Sequence, residues 1–183
     1  MHQDIKEILF TQDAIQNRIA ELGAEITEEY RGSNLTLMAL LKGGVVFISD
    51  LMRHIPIHLE IDFIVASSYG DGTESSGNVK LKVFPQADFS NQRILLLDDI
   101  LDTGNTLSSV VAELERRGAQ DVRTCVLLDK AARRSVDITA DHIGFSVEDQ
   151  FVVGYGLDFA DRYRNLPFIG VLKEECYETQ DDA

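Results

Sequence analysis

The chain has 183 residues, 44% hydrophobic and 26% charged, which is enough to bury one substantial core in an ordinary globular domain. Its 31 acidic against 17 basic residues give a formal net charge of −14, which argues against a broad nucleic-acid-binding surface. No run approaches the roughly 18 apolar residues of a helical membrane span, so no membrane partner is expected. The N-terminal MHQDIKEILF carries neither the basic nor the apolar region of a secretory signal. Cys125 and Cys176 stand far apart, outside any ligand-like spacing, and the four histidines form no metal motif. A single domain spanning 1–183 in a reducing cytoplasm is the expectation.

In chain order, Thr11 is placed to cap a helix carrying Ile15, Ile19, Leu22 and Ile26 at helical spacing. LTLMALL (35–41) is a continuous apolar run, the pattern of a strand buried on both faces. It stops at Lys42-Gly43-Gly44, and VVFISDLMRHI reads as a helix. LEIDFIVASSY (59–69) predicts a strand, GDGTESSGN (70–78) a polar glycine-rich loop, and VKLKVF (79–84) an alternating strand returning from it. RILLLD (93–98) is another buried strand, ending in Asp98-Asp99. Leu107, Val110, Val111 and Leu114 then mark a helix stopped by Gly118. VRTCVLLD (122–129) is a further strand, and HIGFSV, FVVGYGL and PFIGVL read as short ones. Strands alternating with helices predict an α/β fold with a mainly parallel sheet flanked by helices.

Ligands of open parallel sheets sit beyond the carboxyl ends of the strands. Three expected strands end in unusual chemistry: Lys42-Gly43-Gly44, Asp98-Asp99 and Asp129-Lys130. DTGNT (102–106) joins a strand to a helix through a tight turn. Backbone N–H groups, the helix dipole and two threonine hydroxyls could there cradle a phosphate, or the loop could be a plain Asp/Thr helix cap. Asp98 and Asp99 suit Mg²⁺ or a ribose diol, or are a solvated strand end. Adjacent acids on a strand point to opposite faces, so both cannot play an identical role.

ILLLDDILDTGNTL resembles the 5-phosphoribosyl-1-pyrophosphate signature of type I phosphoribosyltransferases. LLKGG (40–44), SSYGDGTESSGNVKL (67–81), LLDK (127–130) and FVVGYGLDFADRYRNLPFIGVL (151–172) narrow the resemblance to the hypoxanthine-guanine branch. It runs in order from about Phe10 to Leu172. It implies a type I phosphoribosyltransferase fold with a core at roughly 30–150. A small hood would be built from the N-terminal segment and roughly 151–175, and a mobile flap from 69–78. The implied activity transfers a phosphoribosyl group from 5-phosphoribosyl-1-pyrophosphate to hypoxanthine or guanine with Mg²⁺.

Carried over residue by residue, the resemblance makes Asp102 the general base at purine N7. It gives the 5-phosphate to Asp102, Thr103, Gly104, Asn105 and Thr106, although Asn105 departs from the Arg, Lys or Leu often found there. Asp98 and Asp99 would hold the ribose hydroxyls, directly or through Mg²⁺. Lys42, Gly43 and Arg164, with Ser68 and Tyr69 of the flap, would bind pyrophosphate, and the Leu41–Lys42 peptide would be cis. Lys130 would read the purine 6-oxo group, Phe151 would stack on the base, and the Val152 backbone would meet its edge. Asp158, beside the purine, would hold a second Mg²⁺. Relatives form homodimers or homotetramers. A xanthine-preferring enzyme and a non-catalytic regulator on the same fold are the alternatives. The hood sequence speaks against the first, and Asp102 with the acidic surface against the second.

Overall fold

The computed structural model describes residues 2–68, 79–85 and 89–177. The expected flap 69–78, with Tyr69, lies outside the described residues. The chain opens with β1 (Ile5–Phe10) and α1 (Gln12–Glu29). The Thr11 hydroxyl caps α1 by accepting from the Ala14 N–H at 3.2 Å, and Ile15, Ile19, Leu22 and Ile26 are fully buried along one stripe. There follow β2 (Leu35–Leu41), α2 (Gly44–Leu51), β3 (Leu59–Ser68), β4 (Val79–Val83), β5 (Arg93–Leu101), α3 (Asn105–Arg116) and β6 (Asp121–Asp129). Three short strands complete the chain: β7 (His142–Ser146), β8 (Val152–Val153) and β9 (Ile169–Leu172).

Six strands form the main sheet in the order β4-β3-β2-β5-β6-β7, all parallel except β4. Both faces are covered. Leu37, Ala39, Leu95, Leu97, Cys125 and Leu127 pack under α1 and α2. The intervening Met38, Leu40, Ile94, Leu96 and Val126 pack under Leu107, Val110 and Leu114 of α3. Burying each large aliphatic side chain contributes roughly 1.5–3 kcal/mol, which is why these strands carry continuous apolar runs. β1, β9 and β8 form a small antiparallel sheet, pinned by Ile5, Val153 and Leu172. Among the described residues no helix is long and apolar enough to cross a membrane.

α3 ends as Gly118 implies. That glycine is left-handed (φ +93°), its N–H bonds the Glu115 carbonyl, and the Ala119 N–H bonds the Leu114 carbonyl.

Four elements differ from expectation. β1 had no sequence signal, since Ile5 alone of its residues is buried; the strand is defined by its pairing with β9. The 45–55 helix ends at Leu51 and continues as one 3₁₀ turn, Met52–His54. β5 does not stop at Asp98 but runs to Leu101, because β6 continues to pair with it. In FVVGYGL only Val152–Val153 is strand, since Gly154 and Tyr155 take positive φ and turn the chain.

Candidate active site

The sheet order makes the site. From β2 the chain moves outward through β3 and β4, then returns and moves the other way through β5, β6 and β7. The reversal therefore lies between β2 and β5, where open α/β sheets bind ligands. The two strands are paired only from Thr36/Ile94 to Ala39/Leu97; beyond that, β5 pairs with β6 alone. The parted strand ends open onto two adjoining cavities of about 240 and 460 Å³, which share Gly43, Ala66, Asp99, Ile100 and Asp102.

The smaller cavity is lined by Leu40, Leu41 and Gly43 from the end of β2, and by Asp98–Gly104 with Thr106 from β5 and α3. The Leu41–Lys42 peptide is cis. A Cβ at 43 would lie 1.7 Å from Asp99 Oδ2, so any side chain there would displace the Asp99 carboxylate. Asp98 Oδ1 accepts from the Asp99 N–H at 3.0 Å, and Asp99 Oδ1 from the Ile100 N–H at 2.9 Å. Burial pushes the Asp98 carboxyl well above the carboxylate range, and the Asp99 charge adds to it. Burial also raises Asp99, partly offset by its hydrogen bonds and by Arg164. Two acids so placed favour a bound cation or donor-rich ligand over a second proton-free carboxylate.

Residues 102–104 turn the chain into α3. Gly104 is left-handed (φ +88°), and the helix start has no side-chain cap. The plain-cap reading of DTGNT is therefore not what forms, and the first turn of α3 begins beside the smaller cavity, which Gly104 and Thr106 line. Thr103 Oγ1 accepts weakly from the Asn105 N–H at 3.5 Å and from Asn105 Nδ2 at 3.4 Å. Asn105 itself does not line either cavity.

Asp102 stands where the cavities meet. Its Oδ1 is buried and accepts no hydrogen bond, and Arg133 Nε lies 3.7 Å away. An unsatisfied buried carboxylate oxygen is uncommon and calls for an explanation in what the group does. The loop behind it is tied down by Arg134, a residue the sequence did not single out. Its Nη1 donates to the Leu101 and Asp102 carbonyls at 3.0 and 2.8 Å, and its Nη2 to the Asp129 carboxylate. The Ser135 N–H holds the Thr103 carbonyl at 2.9 Å.

The larger cavity gathers Lys42, Lys130, Phe151, Val152, Asp158 and Arg164, together with Arg133. Lys130, 5% exposed, donates to the Gln150 carbonyl at 2.8 Å and lies 3.8 Å from Asp149. Phe151 is 38% exposed, stacked on Tyr177 (5.0 Å, 21°) and met edge-on by Phe159 (5.3 Å, 90°). Arg164 donates to the Gly156 carbonyl at 2.7 Å and pairs with Asp158 at 2.7 Å. Of the remaining sequence candidates, Ser68 ends β3 with its side chain outside the description, and Tyr69 lies outside the described residues. Arg133, Arg134 and Ala66 were missed; DKAARRS shows only a basic pair, which reads as solvated surface. Among the described residues no three His, Cys, Asp or Glu groups converge into a metal cage.

Residues 7–160 match the phosphoribosyl transferase domain, and the chain belongs to that family. Within it, the chain is 46% identical over 177 residues to the hypoxanthine-guanine phosphoribosyltransferase of Staphylococcus aureus, covering 97% of this chain and 99% of that protein. It is 48% identical over 177 residues to the bifunctional protein TilS/HprT of Listeria monocytogenes, again over 97% of this chain but only 27% of that longer protein. A crystal structure of the Staphylococcus aureus hypoxanthine phosphoribosyltransferase superposes with a TM-score of 0.93 at 46% identity, covering 97% of this chain and 96% of the other.

Proposed function

We propose that the protein transfers the phosphoribosyl group of 5-phosphoribosyl-1-pyrophosphate to hypoxanthine or guanine, giving the nucleoside monophosphate and pyrophosphate. Purine N9 forms a bond to ribose C1 as the C1–oxygen bond to pyrophosphate breaks, and the proton on N7 passes to Asp102. The observation that carries this reading is the buried Asp102 Oδ1, which accepts no hydrogen bond, at the junction of the two cavities. That oxygen is an acceptor without a donor, between an anion cradle and a purine-sized space.

The smaller cavity takes the ribose 5-phosphate. The uncapped start of α3 supplies N–H donors, and Thr103 and Thr106 line the same space. Asp98 and Asp99 take the ribose hydroxyls. In the larger cavity, Lys130 donates to the 6-oxo group, Phe151 stacks on the ring, and the Val152 backbone meets the base edge. The ammonium excludes adenine, whose 6-amino group is itself a donor. Lys42, Gly43 and Arg164 take the pyrophosphate, and the family resemblance adds Ser68 and Tyr69 to that role.

Asp98 and Asp99 fit one Mg²⁺, and Asp158 a second. The raised, adjacent Asp98 and Asp99 carboxyls gain from a cation, and this ion is commonly held by one or two carboxylates plus substrate oxygens rather than by a protein cage. When bound, it neutralises charge on the pyrophosphate oxygens. The free, fully buried Cys125 and the free Cys176 suit a cytoplasmic setting, and a homodimer or homotetramer is the assembly proposed. The test is pyrophosphate release with Mg²⁺ and each of hypoxanthine, guanine, xanthine and adenine. Release with hypoxanthine or guanine, abolished by EDTA, is expected. No release with any base overturns the enzyme reading, and adenine as best substrate overturns the role of Lys130.

A further inference from the structure

The two cations assigned above to pyrophosphate share one carboxylate, Asp161, although Arg164 also keeps its pair with Asp158 at 2.7 Å. Asp161 Oδ1 accepts from Lys42 Nζ at 2.9 Å and from Arg164 Nη2 at 3.2 Å. Lys42 and Arg164 hold the Asp161 carboxyl below its ordinary range, the Lys42 hydrogen bond contributing most. Both Lys42 and Asp161 are about two-thirds exposed. Exposed ion pairs are weak, so the contact is one that a more highly charged ligand displaces.

The backbone presents this carboxylate at some cost. Phe159 and Arg162 exchange backbone hydrogen bonds of 3.3 and 3.0 Å around Ala160 (φ +51°) and Asp161 (φ +59°). Two-residue turns with both central residues left-handed favour Asn-Gly or Asp-Gly; here alanine carries the Cβ penalty. Strained turns of this kind persist where the surroundings fix them. The Asp161 N–H donates to Asp158 Oδ2 at 2.8 Å, and the side chain at the turn tip reaches the two cations.

We propose that Asp161 sets the affinity of the pyrophosphate end: its carboxylate and the pyrophosphate oxygens compete for Lys42 and Arg164. The enzyme's hold on pyrophosphate, and on the same group in the phosphoribosyl donor, is thereby weaker than the two cations alone would make it. A weaker hold favours product release, a step that limits turnover in many enzymes. The inference rests on the pyrophosphate role given to Lys42 and Arg164 above.

The test is calorimetric titration of inorganic pyrophosphate into the full chain in Mg²⁺ buffer, for wild type, Asp161→Asn, Asp161→Glu and Lys42→Gln. Asparagine tolerates the left-handed turn, so Asp161→Asn keeps the fold. It is expected to bind pyrophosphate roughly two- to tenfold more tightly, while Asp161→Glu, which keeps the charge, stays close to wild type. Lys42→Gln is expected to weaken binding. If Lys42→Gln weakens binding and Asp161→Asn leaves it unchanged or weaker, the competition is refuted and the pyrophosphate role of Lys42 stands. If Lys42→Gln changes nothing, that role falls and the proposal falls with it.

Discussion

Lys130 offers the sharpest test of base recognition, because its ammonium is almost wholly withdrawn from water and has one strong protein acceptor. The side chain is 7% exposed, its Nζ donates to the Gln150 carbonyl at 2.8 Å, and Asp149 lies 3.8 Å away. Lys130→Met keeps the length and removes every donor. A hydrogen bond to a charged group contributes about 1.5–3 kcal/mol, so losing the one to the purine 6-oxo group lowers kcat/KM for hypoxanthine about 10- to 150-fold. The Gln150 carbonyl also loses its donor, at a cost of about 1–3 kcal/mol in stability. For a chain of this size that lowers Tm by roughly 2–12 °C. Lys130→Gln retains an amide that both donates and accepts, so the ratio of hypoxanthine to adenine use falls through partial acceptance of adenine. Initial-rate pyrophosphate release with each base, beside a thermal melt, measures all of these. A change in kcat/KM for hypoxanthine of less than about threefold in Lys130→Met refutes the reasoning.

Asp102→Asn is expected to reduce kcat by roughly 10² to 10⁴ with an unchanged melt; wild-type turnover in that variant removes Asp102 from the mechanism. Asp98→Asn is expected to lose activity yet melt higher at neutral pH, by a gain of about 0.5–2 kcal/mol. The folded chain holds the Asp98 proton more tightly than the unfolded chain does, so stability falls as pH rises from the unfolded value towards the raised folded one. Melting curves of the two proteins should converge at acid pH, below the unfolded value; an equal or lower neutral-pH Tm for the variant refutes the sign. In Gly104→Ala a Cβ would lie 2.6 Å from Ile138 Cγ2 on a left-handed backbone. That variant should lose about 1–2 kcal/mol of stability and show a raised KM for the phosphoribosyl donor, with KM for the purine little changed.

The buried strands were legible because both faces of the sheet are covered. β2, β5 and β6 had to be continuous apolar runs, and the chemistry at their ends had to be polar. Asp98, Asp99, Asp102 and Lys130 could therefore be picked out before any geometry was known. β1 was not legible, since a strand with one buried residue takes its conformation from its partner rather than from its own pattern. The extension of β5 through two acids was hidden for a related reason: β6 supplies a ladder of which the acidic side chains give no sign. Arg134 escaped because an arginine that donates to carbonyls 32 and 33 positions away leaves no local trace. The Lys42–Asp161 pair, 119 positions apart, escaped in the same way.

Leu101 and Asp129 are register partners at the ends of β5 and β6, so Asp102 and Lys130 are the first residues beyond two neighbouring strands. Parallel strands lie about 4.8 Å apart whatever their sequence. The proposed acceptor for a proton on N7 and the proposed donor to the adjacent 6-oxo group thus hang from a ruler built of backbone. The Arg134 guanidinium bolts its two arms together, holding the Asp102 carbonyl on one side and the Asp129 carboxylate on the other. With the roles proposed for Asp102 and Lys130, a sheet so built would measure one edge of a fused purine ring through a spacing that no single side chain determines.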